Sequence, residues 1–355
     1  MTHPHGMDDM LAPLTWTRAL TAWHFAPITA VLVAAALSLY VVAVLRVRDG
    51  GQRWSLARTA AFAAGLAVIV VALMGSPAVY GDGGLFWVHM IQHLMLIMVA
   101  PWLLCSGHPL TLLRTATRGR LHDRVEAIRQ SKAAAFLTSP ITGLTVYAVV
   151  LFGVHLSSFM DAMMGSPALM VLEHALYLVG GYLYFSQLLT RDSPPRDLSD
   201  PLRLFALFMG MSADTIVGIV LLQATEPPFP AYARMHPSWG PGPLADIHGG
   251  GAVMWIGGDG LMFVMTIVVM LRWLFDRSPE AAKAGTFFES VRQVTLAATA
   301  QEAAPGTDDA DRERLRASAD LDEDDEALQA YNTLLARLDS RGRDAHRPTD
   351  RRFGE

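Results

Sequence analysis

Residues 85–106 read LFWVHMIQHLMLIMVAPWLLCS and contain no Lys, Arg, Asp or Glu. At about 1.5 Å per helical residue, such a run is long enough to cross a hydrocarbon core of about 30 Å. Its polar residues are not scattered. His89 and His93 stand at i and i+4, with Gln92 beside them, so they share one helix face. Imidazoles in lipid are costly unless they turn towards other helices, so this face requires a bundle around it.

Working outward, six more apolar runs occupy 27–45, 57–74, 140–160, 168–189, 201–223 and 250–275. They predict an all-α membrane protein, a seven-transmembrane-helix bundle. The short loops fix an orientation. Arg46, Arg48, Arg53 and Arg58 follow the first run, Arg114 to Lys132 the third, and Arg191 and Arg196 the fifth. The loops near 75–84 and 161–167 have no Lys or Arg. With seven spans the N-terminus lies outside and the C-terminal tail is cytoplasmic. The chain then divides into an extracytoplasmic segment 1–26 without signal-peptide features, a membrane domain 27–275 and a polar tail 276–355. Within the tail, 278–300 predicts a membrane-surface helix, 301–326 an acidic disordered stretch and 326–338 an amphipathic helix.

Composition narrows the chemistry. Hydrophobic residues make up 52% of the 355, charged residues 17%, and the net charge of −5 arises mostly in the tail. The single cysteine, Cys105, excludes a disulfide framework or a paired-thiolate metal site within one chain. No phosphate-binding glycine loop, nucleophile elbow or internal repeat is present. Nothing points to nucleic acid as a partner.

The histidines carry the functional signal. In the predicted topology His89, His93, His155 and His174 lie at similar depths in the outer leaflet, on three helices. His248 and Asp246 stand just above, where the seventh run begins. Neutral imidazole is the commonest protein ligand for transition metals. Imidazoles with methionines suit cuprous ion, and imidazoles with carboxylates suit zinc or iron as well. His3 and His5, among the three methionines of MTHPHGMDDM, form a second, looser candidate. His236, in a Pro-rich loop, reads as surface. Asp214 is an acceptor in mid-membrane, and Gly249, Gly250 and Gly251 permit close helix packing or a hinge.

Five segments carry a family resemblance: WHFAP at 23–27, HMIQHLMLIMVAPWLLCSGHPL at 89–110, HLSSF at 155–159 followed by EHALYL at 173–178, FPAY at 229–232 and ADIHGGGAVMW at 245–255. In order and spacing the chain resembles the polytopic CtaG family of cytochrome c oxidase assembly proteins. It departs from the family pattern at Ala26, at Ile247 and His248, and at Ser157 and Ser158. The resemblance implies a non-catalytic factor that matures a haem–copper oxidase in the bacterial cytoplasmic membrane, handling copper as Cu(I). Its partners would be oxidase subunits, other copper chaperones and the lipid bilayer. The expected ligands are His89, His93, His155 and His174, covered by His248 and Asp246, with Glu173 orienting the site. The alternatives are a haem- or quinone-binding redox protein, a zinc site or a copper transporter.

Overall fold

Lipid offers no hydrogen-bond partner to a peptide group, so a spanning chain must satisfy its backbone internally. The computed structural model describes residues 11–189 and 200–275, and among them no strand occurs. Six helices are long and apolar enough to cross a membrane: Pro27–Asp49, Leu56–Gly81, Phe86–Ala116, Pro167–Leu189, Pro201–Leu222 and Pro243–Leu271. The remaining predicted run, 140–160, forms the 16-residue helix Pro140–His155, about 24 Å long. A turn and the short helix Phe159–Met164 follow it. Pro27, Pro140, Pro167 and Pro243 each open a helix, where the missing N–H costs nothing. The tail segments, His3 and His5, and Arg191 and Arg196 lie outside the described residues.

Two boundaries differ from expectation. The last helix begins at Pro243, not near 250, so Asp246 and His248 are helical. Proline at its start fixes the first helical φ, and burial of Asp246, Ile247, Gly250 and Gly251 against neighbouring helices holds the turns that follow. The third helix continues past Ser106 to Ala116, through a bend where His108 adopts a left-handed φ of 49° before Pro109.

The helices are not equivalent. In its most apolar window the Pro27 helix is 11% buried, the Phe86 helix 67%. The first therefore lies at the rim, with Val31, Leu32, Leu39 and Val42 exposed as lipid-facing side chains. The Phe86 helix is the hub. It packs against the helices starting at Leu56, Pro167 and Pro243, and Met90, Leu96, Ile97 and Met98 are fully buried.

Both the Phe86 and Pro243 helices widen locally into a π-helical turn, at Met95–Val99 and Val253–Gly258. In the first, Pro101 has no N–H for the Ile97 carbonyl four residues earlier, and the wider turn accommodates the break. The Pro167 helix uses that spot: a Cβ on Gly181 would lie 2.0 Å from the Ile97 oxygen. Only glycine allows this approach. Of the glycine triplet, Gly250 faces Phe86, where a Cβ would meet Cδ1 at 2.3 Å, and Gly251 packs against Gly218. The triplet thus serves close packing.

Candidate metal site

The Phe86 helix starts inside the protein, where its first amides have no helical acceptor. Asp246, on the Pro243 helix, supplies one: its carboxylate accepts from the backbone N–H of Phe86 at 2.8 Å and of Trp87 at 3.0 Å. This fixes the start of the turn carrying His89, and His93 follows one turn later with ring centroids 3.9 Å apart, edge to face. Both imidazoles are fully buried, as is Glu173, which reaches them from the Pro167 helix.

A chain of contacts sets the protonation of this group. His155 Nδ1 lies 2.9 Å from the Leu151 carbonyl oxygen, which can only accept. His155 therefore carries its proton on Nδ1, and its Nε2 accepts from His93 Nδ1 at 3.2 Å. His93 is thereby left with the lone pair of Nε2 directed at Glu173 Oε1, 3.3 Å away. On the other side His89 Nε2 is 3.6 Å from Glu173 Oε2, and His89 Nδ1 is 3.6 Å from Asp82 Oδ1. The Tyr177 ring packs on His93 at 4.2 Å. Tyr232, whose hydroxyl donates to the Gly81 carbonyl at 3.3 Å, closes the group near His89. Burial, reinforced by Asp82, Glu173 and Asp246, pushes the Tyr232 hydroxyl well above its ordinary pKa, so it remains neutral.

Buried polar atoms are normally hydrogen-bonded. Here both nitrogens of His89, Nε2 of His93 and both oxygens of Glu173 have no hydrogen-bond partner. A separation of 3.6 Å is too long for a hydrogen bond. It suits two ligands of one ion: donors about 2.0–2.2 Å from a tetrahedral metal lie about 3.2–3.6 Å apart. One ligand atom each from His89, His93 and Glu173 lie within 4.8 Å of one another. The residues therefore fit a metal ion: two imidazoles and a carboxylate, buried, with lone pairs converging.

The sequence matches the family described as "Cytochrome c oxidase caa3 assembly factor (Caa3_CtaG)" over residues 38–276, which holds every residue of this group. The chain belongs to that family. It is also similar to an uncharacterized protein of Mycobacterium leprae, 26% identical over 276 residues, which is 75% of this chain and 41% of the relative. Uncharacterized proteins of Mycobacterium bovis and Mycobacterium tuberculosis are each 25% identical over 338 residues, 93% of this chain and 46% of theirs. The chain thus spans less than half the length of the curated relatives it matches. No solved structure gives a significant match.

In this CtaG-family chain the expected site residues have separate positions. His89 and His93 sit in the group. His155 touches it through His93, with both its nitrogens engaged. His174, one residue beyond Glu173, is turned to the side; its Nε2 is buried without a hydrogen-bond partner. Asp246 is occupied by the helix start. His248 Nε2 lies 2.9 Å from the Ala224 carbonyl, to which it donates. His236, expected at the surface, is only 8% exposed and stands 3.5 Å from Asp246. Together these two line a narrow cleft with Phe86, Phe229 and Tyr232. Gln92 donates to the Ala72 carbonyl at 3.0 Å, tying its helix to the Leu56 helix.

Glu173 and Asp82 are the residues that the sequence reading undervalued. Glu173 had a signal in the helix phase: Glu173, Tyr177, Gly181, Tyr184 and Leu188 form the buried stripe of the Pro167 helix. Asp214, in mid-membrane, accepts from the Tyr147 hydroxyl at 2.8 Å. Asp259 accepts from Thr215 at 2.7 Å.

Proposed function

We propose that this chain is an assembly factor for a haem–copper cytochrome c oxidase, and that it holds copper between His89, His93 and Glu173 as cargo for the oxidase. The observation that carries the reading is the convergence of buried donors without hydrogen-bond partners, Nε2 of His89 and of His93 and both oxygens of Glu173, close enough together to bind one cation. Membership of an oxidase-assembly family supports copper as that cation. Two imidazoles and a carboxylate accept cupric ion and zinc as readily as cuprous ion, so copper rests on the family and not on the donor set. His155 acts by orienting His93, as a partner on the second nitrogen does for a ligating imidazole.

The setting is a bacterial cytoplasmic membrane. The helix Pro140–His155, with the turn and short helix after it, completes a seventh crossing. The N-terminus is then outside, as the basic loops require, and the fully buried group lies in the outer half, on the side where it would meet oxidase subunits and other copper chaperones. Glu173 and His93 bind without performing a reaction. Haem ligation through His93 and His174 is disfavoured, because Glu173 stands 3.3 Å from His93 Nε2, in the space a porphyrin would need.

The test is metal analysis with a visible spectrum on the detergent-purified full chain, beside Glu173→Gln and His93→Ala. We expect near-stoichiometric copper, with affinity falling in each variant by more than the ~10–100-fold that losing a group behind a ligand costs, and oxidase activity falling in membranes of cells that carry it. Bound metal unaffected by either change, or none in the unaltered chain, would overturn the site. Zinc in place of copper would overturn the cargo, and a Soret band would transfer the histidines to haem.

A further inference from the structure

The Phe86 helix carries its histidines at one end and leads into a basic arm at the other. After Ala116 the chain forms two further helices, Arg120–Arg129 and Lys132–Leu137, before Pro140 opens the next long one. Residues 109–137 hold six Arg and Lys against two acidic residues, Asp123 and Glu126. Leu121, Val125 and Ile128 fall at i, i+4 and i+7, so they form one stripe of the Arg120–Arg129 helix. At about 100° per residue, Arg124 and Arg129 flank that stripe, and Asp123 and Glu126 fall on the far side. No described residue covers the stripe: the helix has no buried residue, and Leu121 is 51% and Ile128 69% exposed. A helix of this length is marginal in water by itself, and Gly119 brings no side chain to cap it. It therefore needs a second surface to lie on. Its charges say which. Glu126 is held by Arg114 at 3.5 Å and by Arg129, whose Nε donates to it at 3.0 Å. Arg118, Arg120, Arg124 and Lys132 are exposed and pair with no carboxylate among the described residues. Arg118 also joins the arm to the first loop, since a Cβ on Gly50 would lie 2.7 Å from its Nη2. The exposed arginines of that loop, Arg46, Arg48 and Arg53, thus gather at the same end.

We propose that the helix Arg120–Arg129 lies in the membrane surface and binds anionic phospholipid headgroups there. Both of its ends are tied to spanning helices, so the bilayer surface is always within reach. Leu121, Val125 and Ile128 enter the boundary of the acyl chains, as the apolar face of an interfacial helix does. The arginines beside them extend to the lipid phosphates, which a guanidinium pairs with through two parallel hydrogen bonds. The arm thereby holds the far end of the hub helix at a fixed depth. This depends neither on the metal nor on the orientation proposed above; with that orientation the surface is the cytoplasmic leaflet, whose anionic lipids attract basic clusters.

The experiment is hydrogen–deuterium exchange on the full chain in two kinds of nanodisc, phosphatidylcholine alone and equal parts phosphatidylcholine and phosphatidylglycerol. A basic residue near an anionic surface contributes about fivefold, so amides of 120–129 should exchange about 25-fold more slowly in the anionic discs. The double variant Arg120→Gln/Arg124→Gln should lose most of that difference. So should the unaltered chain in 1 M salt, where the screening length is about 3 Å. Leu121→Ser/Ile128→Ser should leave the helix unprotected in both discs. All four side chains are exposed, so these changes spare the core of the bundle. Equal exchange in the two discs, or a difference that survives the arginine variant, would overturn the lipid assignment. Equal protection in lipid-free detergent would mean that another part of this chain covers the stripe. Protection gained only on adding a partner protein would make the stripe a protein interface, and either result overturns the proposal.

Discussion

Asp246→Ala removes the acceptor of two backbone N–H groups at the start of the Phe86 helix, bonded at 2.8 and 3.0 Å. Phe86 is fully buried and Asp246 is 2% exposed, so water cannot fully replace the carboxylate. A hydrogen bond to a charged group contributes about 1.5–3 kcal/mol, and loss of a helix N-cap costs about 0.5–2 kcal/mol. Because Trp87 is only partly buried, the combined loss should be about 2–4 kcal/mol. Asp246→Asn keeps one acceptor oxygen and should cost about half as much. Equilibrium unfolding in mixed detergent micelles, by titration with a denaturing detergent, reads both values. Copper affinity of the same samples tests the consequence, since His89 lies in the first turn of the loosened helix. It should weaken in step with stability, and the asparagine variant should recover most of both. If Asn loses the metal as completely as Ala while stability is preserved, Asp246 is a ligand and the capping argument fails. A loss below about 0.5 kcal/mol in the alanine variant, the scatter of neutral changes, would refute it equally.

Gly181→Ala, whose Cβ would lie 2.0 Å from the Ile97 oxygen, should destabilise by about 1–3 kcal/mol or more. Gly180→Ala, whose nearest neighbour would be Val150 Cγ2 at 3.6 Å, should be tolerated, and equal unfolding midpoints for the pair would refute the close-approach argument. Tyr147→Phe deprives buried Asp214 of its 2.8 Å donor and should cost about 1–3 kcal/mol. Its metal content should be unchanged, and loss of copper in that variant would mean that the mid-membrane carboxylate communicates with the site.

Length and apolarity made the spans readable, because lipid imposes both on any helix that crosses it. The hub helix was legible for the same reason, and HMIQH announced its inward face. The exact donors were harder to read. Residues 173 and 174 are neighbours in sequence but about 100° apart around the helix, and a search by residue type favours the histidine. Phase along Glu173, Tyr177 and Tyr184 favours the glutamate, which is the residue found inside. The role of Asp246 had no local signal, since the amides it caps are about 160 positions away in sequence. His236 was misread for a related reason: a Pro-rich loop suggests solvent, yet this one folds back over the start of the Phe86 helix and buries its imidazole.

The widened turn at Met95–Val99 lies directly below His93. A π-helical turn holds one residue more than a regular one, so it acts as a slip in the gearing between the upper and lower halves of the helix. The upper half aims histidines at Glu173, and the lower half packs Pro101 and Cys105 against Gly181 and Tyr182, further along the same Pro167 helix. A one-residue deletion there would leave the apolar profile and the predicted span untouched, yet turn one half by about 100° against the other. Length in this stretch is therefore as constrained as composition, and two chains with indistinguishable hydropathy need not share the site.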